Sequence, residues 1–371
     1  MHFHALPESA DAQMSAQRLR DRFHGRRVLL TGHTGFKGSW LAIWLHDMGA
    51  EVYGFALPPK TPRDNFVVAG VERIVRHRIG DVRDRQALVD YTQEVQPEFV
   101  FHLAAQTLVL ASYQDPHETF ETNVMGTVNF LDAVRSTPSV RVAVNVTSDK
   151  CYENHEWAWG YRESDAMGGK DPYSASKGCA ELVTSSYRRS FARDGLRLAT
   201  ARAGNVIGGG DWAADRIVPD YFRARLAGES LTLRHPDSVR PWQHLLEPLG
   251  GYLHLAARLD AEGGRFEGGW NFGPSDWTGF SVRDLIAEIG RSDPQAVPLH
   301  LAQQEAAPPE AGYLRLDISL AVNRLGWQPV LSFREAVRMT VEGYLAELDG
   351  GDVLAHRLAQ IHAYEGLGPR V

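Results

Sequence analysis

The stretch Gly32-His33-Thr34-Gly35-Phe36-Lys37-Gly38 constrains this chain most, because it follows the apolar run Arg27 to Leu30 and precedes residues that repeat at helical spacing. A strand that turns on glycines into a helix lets its backbone approach a pyrophosphate closely. The helix N-terminus then offers unpaired N–H groups and partial positive charge. A glycine pattern alone is weak, but strand, turn and helix in this order are the context in which it means dinucleotide binding. The spacing here is GxxGxxG rather than GxGxxG. Leu41, Trp44, Leu45 and Met48, which follow it, repeat as the core face of a helix.

From Arg27 onward, short β-branched or apolar runs alternate with helical periods. Predicted strands are Arg27 to Leu30, Glu51 to Phe55, Phe99 to Leu103, Arg141 to Val146 and Leu196 to Ala201. The alternation predicts an α/β fold, a Rossmann-type doubly wound parallel sheet with helices on both faces. After Asn205 it breaks at Gly208-Gly209-Gly210-Asp211-Trp212 and gives way to mixed segments rich in Pro and aromatics, where a smaller C-terminal substrate-binding part belongs. The chain therefore divides into an N-terminal extension (1–24), a dinucleotide-binding domain (25–204) and a mainly substrate-binding part (205–371), some segments of which return to the core. Asp293 to Gly312, rich in Pro, Ala, Gln and Glu, reads as a mobile surface loop.

The first 24 residues hold no apolar h-region and do not read as a signal peptide. No segment reaches the length of a membrane-spanning helix. A net charge of −7 argues against a nucleic-acid partner. Cys151 and Cys179 have neither metal spacing nor a disulfide framework and fit a reducing cytoplasm. None of the 15 histidines forms a zinc-site spacing, so no metal is expected.

Chemistry concentrates in Thr147-Ser148-Asp149-Lys150 and in Tyr173-Ser174-Ala175-Ser176-Lys177. Asp171 and Pro172 supply an N-cap and a first-turn proline, so a helix is predicted from Tyr173 to Arg193. Four residues apart, Tyr173 and Lys177 share a helix face, and the ammonium is expected to hold the phenol ionised so that it takes a hydroxyl proton. With 12 Tyr and five Lys in 371 residues, chance supplies roughly 0.16 such pairs. The basic residues are otherwise 34 arginines, and Lys37, Lys150 and Lys177 all fall inside motifs. Lysine can be tuned to lose its proton where arginine cannot. Asp81, followed by Val82, is placed to accept from an adenine amine. The second strand ends Gly54-Phe55-Ala56-Leu57, with no acid to read a ribose. Lys60 and Arg63 lie where a 2′-phosphate would be met, so the residues leave NAD and NADP both open. Trp157 to Tyr161 is an aromatic run that reads as packing.

The GxxGxxG turn, Leu103-Ala104-Ala105-Gln106, the Asn123 helix and Tyr173xxxLys177 together resemble the extended short-chain dehydrogenase/reductases. Gly32 through Trp40, Thr147 through Asn154, Gly204 through Trp212 and Arg240-Pro241-Trp242-Gln243-His244 are similar, more closely, to the CDP-glucose 4,6-dehydratase branch. That resemblance implies NAD as cofactor, held by Gly32, Thr34, Gly35, Phe36, Lys37, Gly38, Asp81, Val82, Leu103 to Gln106, Tyr173 and Lys177. It implies a nucleotide-sugar substrate contacted by Asn205 and Arg240. Tyr173 would take the 4-hydroxyl proton, Ser148 would bond the ketone oxygen, Asp149 would be the acid and Lys150 the base. Lys150 can act as a base only after losing its proton, which nearby Lys177, the positive nicotinamide ring and burial are expected to promote. A homodimer through the Phe120 to Val134 and Tyr173 to Arg193 helices is implied as well. The alternatives are a 4-epimerase or a dehydratase for another nucleotide sugar, and a silent NAD(P)-binding scaffold. The sequence departs from the family pattern at Thr107 and Leu110, where Pro and Arg are expected, so an apolar residue replaces a charge near the cleft.

Overall fold

The computed structural model describes residues 14–191, 195–275, 279–301 and 313–367. Met1 to Gln13 of the extension, Arg193 at the end of the expected helix, and residues 302–312 of the expected mobile loop lie outside the described residues.

Seven strands form one parallel sheet: β1 (Arg27–Thr31), β2 (Glu51–Ala56), β3 (Arg76–Ile79), β4 (Phe99–His102), β5 (Val142–Val146), β6 (Arg197–Ala203) and β7 (Gly268–Phe272). Their order across the sheet is β7-β6-β5-β4-β1-β2-β3, the doubly wound arrangement. Both faces are covered. Val28 and Leu30 of β1 meet Trp40, Leu41 and Leu246 on one side, while Leu29 meets Leu88, Val100 and Phe130 on the other. Burial on both faces is why β1, β4 and β5 read as unbroken apolar runs rather than as alternation.

The five predicted strands form within two residues of their expected bounds. Two more appear. β3, Arg-His-Arg-Ile, is an edge strand with little buried surface, and charged side chains there discourage pairing with another chain. β7 begins with two glycines, and a Cβ at Gly269 would lie 2.2 Å from Arg202 Nη2, so the buried guanidinium would have to shift. The helix expected from Phe120 is part of a longer run: Pro116–Phe120, a π turn at Glu121–Met125, then Gly126–Ser136.

Residues beyond 204 serve both the sheet and a second core. The Leu246–Glu262 helix packs on the sheet, with Leu246, Leu249, Leu253 and Ala256 buried. Trp212, Phe222, Leu285, Ile289, Val337 and Tyr344 form the separate cluster, with the Phe222 and Tyr344 rings stacked at 3.9 Å. The helix Val353–Glu365 returns to the sheet side, where Arg357 is fully buried. It donates to Asn65 Oδ1 and the Gly343 carbonyl, both at 3.0 Å. Within the stretch read as an extension, Ala16–Phe23 is a helix capped by Ser15, and Leu19 and Phe23 sit in the main core. Arg20 at its centre bonds both Asp47 and Glu365. Among the described residues no helix is long and apolar enough to cross a membrane, and none forms a cluster suited to a metal ion.

Candidate active site

The C-terminal ends of the central strands open into one cleft of about 1160 Å³. At its near end, Gly32 turns with φ +75°, and a Cβ there would lie 2.6 Å from the Ala104 nitrogen. A Cβ at Gly38 would lie 2.1 Å from the Gly32 carbonyl oxygen. The turn therefore closes under the Phe36–Asp47 helix, whose N-cap is Gly35 and whose first N–H groups no side chain caps. This bare, glycine-built cradle fits a dinucleotide pyrophosphate. Thr34 Oγ1 is committed to the Leu57 carbonyl at 2.8 Å, joining the turn to the loop after β2. Leu103, Ala104, Ala105 and Gln106 form the floor after β4. Asn123 braces them: its Oδ1 accepts from the Gln106 N–H at 2.9 Å, and its amide donates to the Gln106 carbonyl at 3.0 Å.

The Asp81 carboxylate is held by Arg83 Nε and Nη2 at 2.9 and 2.6 Å, while Val82 beside it is buried. Lys60 lines the cleft, whereas Arg63 turns away, with its guanidinium 5.1 Å from the Trp212 ring and 3.5 Å from Glu347. Of that pair, only Lys60 lines the cleft.

The chemical residues meet midway along. β5 ends at Val146 and the chain turns through Ser148 into a single 3₁₀ turn, Asp149–Cys151. Ser148 Oγ donates to Asp149 Oδ1 at 2.9 Å and accepts the Lys150 N–H at 3.2 Å. Asp149 is 3% exposed, and its Oδ2 has no partner among the described residues. Gly204 approaches that oxygen: a Cβ on it would lie 2.9 Å away. Burial pushes the Asp149 carboxyl above its ordinary range, against the pull of Lys150, Ser148 and Lys37. Lys150 lines the cleft but is only half-buried, because the turn points Asp149 and Cys151 inward and Lys150 out between them. Its amine is less enclosed than Asp149 beside it.

Opposite, Asp171 accepts from the Ser174 N–H at 2.9 Å and starts the helix Pro172–Ser190, which carries Tyr173 and Lys177. Burial pushes the Tyr173 phenol up to about 12, and the groups that oppose this are the hydrogen bond with Ser148 and the charge of Arg216. Lys177 lines the cleft on the same helix, and burial brings its amine down to about 8 against the charge of Glu181. Lys37 reaches past the glycine turn toward the catalytic residues: Nζ donates to Tyr252 at 3.3 Å, and burial lowers it to about 8 while Asp149 raises it. Asn205, Arg240 and Trp242 line the far end. Arg240 lies on a two-residue strand paired with Phe280–Ser281. Trp157 packs against Trp159 and Tyr161, as a packing role requires.

A cleft that gathers a glycine turn, a Tyr and Lys on one helix and a buried acid invites comparison with known enzymes. The family model for GDP-mannose 4,6 dehydratase matches residues 29–340. The chain belongs to that family. It is 47% identical over 351 residues to a CDP-glucose 4,6-dehydratase of Salmonella typhimurium, covering 92% of this chain and 97% of the relative. Among solved structures it resembles a Brucella ovis UDP-glucose 4-epimerase in complex with NAD, at 25% identity and TM-score 0.72, over 85% and 97% of the two chains. A dTDP-glucose 4,6-dehydratase of Streptomyces venezuelae has the same fold, at 24% identity and TM-score 0.72, over 88% and 99%.

Within this family site, every residue nominated from the sequence lines the one cleft, and two further residues stand beside them. Arg216, held by Asp211 at 2.8 Å, also reaches Thr107 Oγ1 at 3.4 Å, so the loop after β4 and the Gly208–Trp212 loop are joined across the cleft. Glu181 lies behind it. No motif marked Arg216 among 34 arginines. The adjoining Gly208-to-Trp212 block, which carries its partner Asp211, was the available signal.

Proposed function

We propose that this chain converts CDP-D-glucose to CDP-4-keto-6-deoxy-D-glucose and water. The observation that carries the reading is Asp149: a buried carboxyl with one bare oxygen, one residue from Ser148, in the same cleft as Tyr173. A 4-epimerase needs the tyrosine but no acid to expel a hydroxyl. The 47% identity to a CDP-glucose 4,6-dehydratase supports both the elimination and the choice of nucleotide.

When bound, NAD would supply the hydride acceptor for C4 and, once reduced, the hydride donor for C6, so the reaction has no net redox change. The residues fitted to hold it are the Gly32 to Gly38 turn, Leu103 to Gln106, Asp81, Val82, Tyr173 and Lys177. Tyr173 takes the 4-hydroxyl proton, and Ser148 donates to the ketone oxygen that forms. That ketone acidifies the C5 hydrogen, which Lys150 removes, while Asp149 protonates the departing 6-hydroxyl. Burial raises this carboxyl above its ordinary range, the direction that suits an acid. Arg240 and Asn205 contact the pyrophosphate and sugar, a guanidinium being well matched to phosphate oxygens. In this reading, residues 25–204 with the returning helices bind NAD, and 205–371 mainly cover the sugar nucleotide.

Two chains are proposed to pair through the Gly126–Ser136 helix, its N-terminal extension and the Pro172–Ser190 helix. Exposed Phe120, Met125 and Leu182 on these helices support that pairing. Free cysteines Cys151 and Cys179 favour a cytoplasmic setting. The deciding experiment incubates the protein and NAD with CDP-, dTDP- or UDP-glucose or GDP-mannose in deuterated water, followed by NMR. A 4-keto-6-deoxy product from CDP-glucose, deuterated at C5, is expected. C4 inversion would make the chain an epimerase, and no product from any of the four would overturn the reading.

A further inference from the structure

The loop after β2 carries a cation to which the proposed reaction assigns no task. β2 ends at Ala56, and Leu57 to Thr61 run along the cleft beside the glycine turn, joined to it by the bond from Thr34 Oγ1 to the Leu57 carbonyl. In a doubly wound sheet this strand end meets the adenosine ribose. An acid there bonds the 2′-hydroxyl, and a cation there accommodates a 2′-phosphate. This chain puts no acid at the strand end, which reads Phe55-Ala56-Leu57-Pro58-Pro59-Lys60. Two acids lie nearby, Asp64 in the same loop and Asp81 just beyond β3, whose Ile79 pairs with Ala56. Both are occupied. One Asp64 oxygen accepts from the Lys60 and Thr61 N–H groups at 2.7 and 3.2 Å, and the other accepts from the Thr61 hydroxyl at 2.7 Å. Asp81 is held by Arg83. Arg63 is turned to Trp212 and Glu347. The exposed Lys60 side chain is therefore the cation that this loop presents to the cleft.

We propose that this end of the cleft also takes a 2′-phosphorylated adenosine, so that the chain binds NADP as well as NAD, with Lys60 meeting the 2′-phosphate. That group carries nearly two negative charges at neutral pH. A carboxylate with free oxygens at the strand end would repel it, but Asp64 and Asp81 turn theirs to donors of their own loops. Lys60 adds attraction and, being exposed, needs no costly burial to do so. The proposal rests on the dinucleotide reading of the glycine turn and not on the identity of the sugar nucleotide. On the dehydratase reading nothing opposes it, because a hydride taken at C4 and returned at C6 draws on neither the NAD nor the NADP pool.

The test reads binding, not turnover. Full-length protein, stripped of retained nucleotide with charcoal, is loaded with NADH, and its fluorescence follows displacement by NAD, NADP, 5′-AMP and 2′,5′-ADP. NADP should displace NADH with a Kd within about tenfold of that of NAD. Of the two fragments, 2′,5′-ADP should compete better, and its advantage should shrink as salt is raised, since the cation is exposed. Lys60→Ala should raise the ratio of the NADP Kd to the NAD Kd by about tenfold, while Lys60→Arg, which keeps the charge, should hold the parent ratio. Leu57→Asp puts an acid at the strand end on a side chain that is 51% exposed, and should raise the ratio as well. NADP failing to displace NADH at about a hundredfold the Kd of NAD, or a parent-like ratio in Lys60→Ala, would overturn the proposal. A protein that binds no NADH would overturn the dinucleotide site and the proposal with it. One that binds both nucleotides yet is silent toward CDP-glucose would support the proposal and count against the dehydratase reading alone.

Discussion

Two buried carboxylates flank one turn and are treated in opposite ways. Glu181, on the core side, has both oxygens committed, to Thr147, Thr200 and Arg202. Asp149, on the cleft side, gives one oxygen to Ser148 and leaves the other bare beside Gly204. A buried charge without partners is expensive, so burial raises this carboxyl above its ordinary range. Similar burial with different partnership therefore separates scaffold from chemistry. Incompleteness, more than burial, marks the working group.

That contrast can be broken most sharply at the cleft. Tyr173→Phe should lower the rate of 4-keto product formation on the order of 10³-fold while leaving the fold, seen by circular dichroism, unchanged. Asp149→Asn should slow water loss by about 10²-fold or more, with C4 oxidation surviving in a single turnover. Loss of both steps would make Asp149 a structural group like Glu181 and erase the distinction. Lys150→Met should likewise spare C4 oxidation yet stop C5 exchange with deuterated solvent, and full exchange in that variant would remove Lys150 as the base. On the core side, Arg202→Met should cost about 3 to 5 kcal/mol of stability in urea unfolding, because a buried carboxylate is left uncompensated.

The smallest effect sharpens the comparison through pH. Folding raises the Asp149 carboxyl above its unfolded value, so ionisation is penalised in the folded protein once pH exceeds the unfolded value. Asp149→Asn should therefore raise the melting temperature at neutral pH, and the gain should fade as pH falls toward about 4, where both states are protonated. Melting curves at several pH values that showed no such trend would mean that the Asp149 carboxylate carries no burial penalty.

Much of the fold was legible because the central strands are buried on both faces and so announce themselves as apolar runs. β3 escaped because Arg76, His77 and Arg78 belong to an exposed edge, and β7 because it opens with Gly268-Gly269 after a long excursion from β6. In the site, the residues carried by short motifs were readable, whereas their electrostatic partners were not. Tyr173 and Glu181 both stand four residues from Lys177, on either side of it. Sequence spacing cannot choose between them, and the partners that Glu181 does take, Thr147, Thr200 and Arg202, come from elsewhere in the chain. Arg216 meets Thr107 across 109 residues, a relation no local pattern encodes.

The buried Arg357 also lets a distant helix shape the cleft. Its Nη1 lies where a Cβ on Gly209 would come within 2.6 Å, and it holds Asn65, which is bonded in turn to Ser39 at the glycine-turn helix. Asn65 and the neighbouring Gly208 and Gly210 line the cleft. The floor between Gly210 and Asn65 therefore leans on a side chain from Val353–Glu365, a helix that lends no residue of its own to the lining.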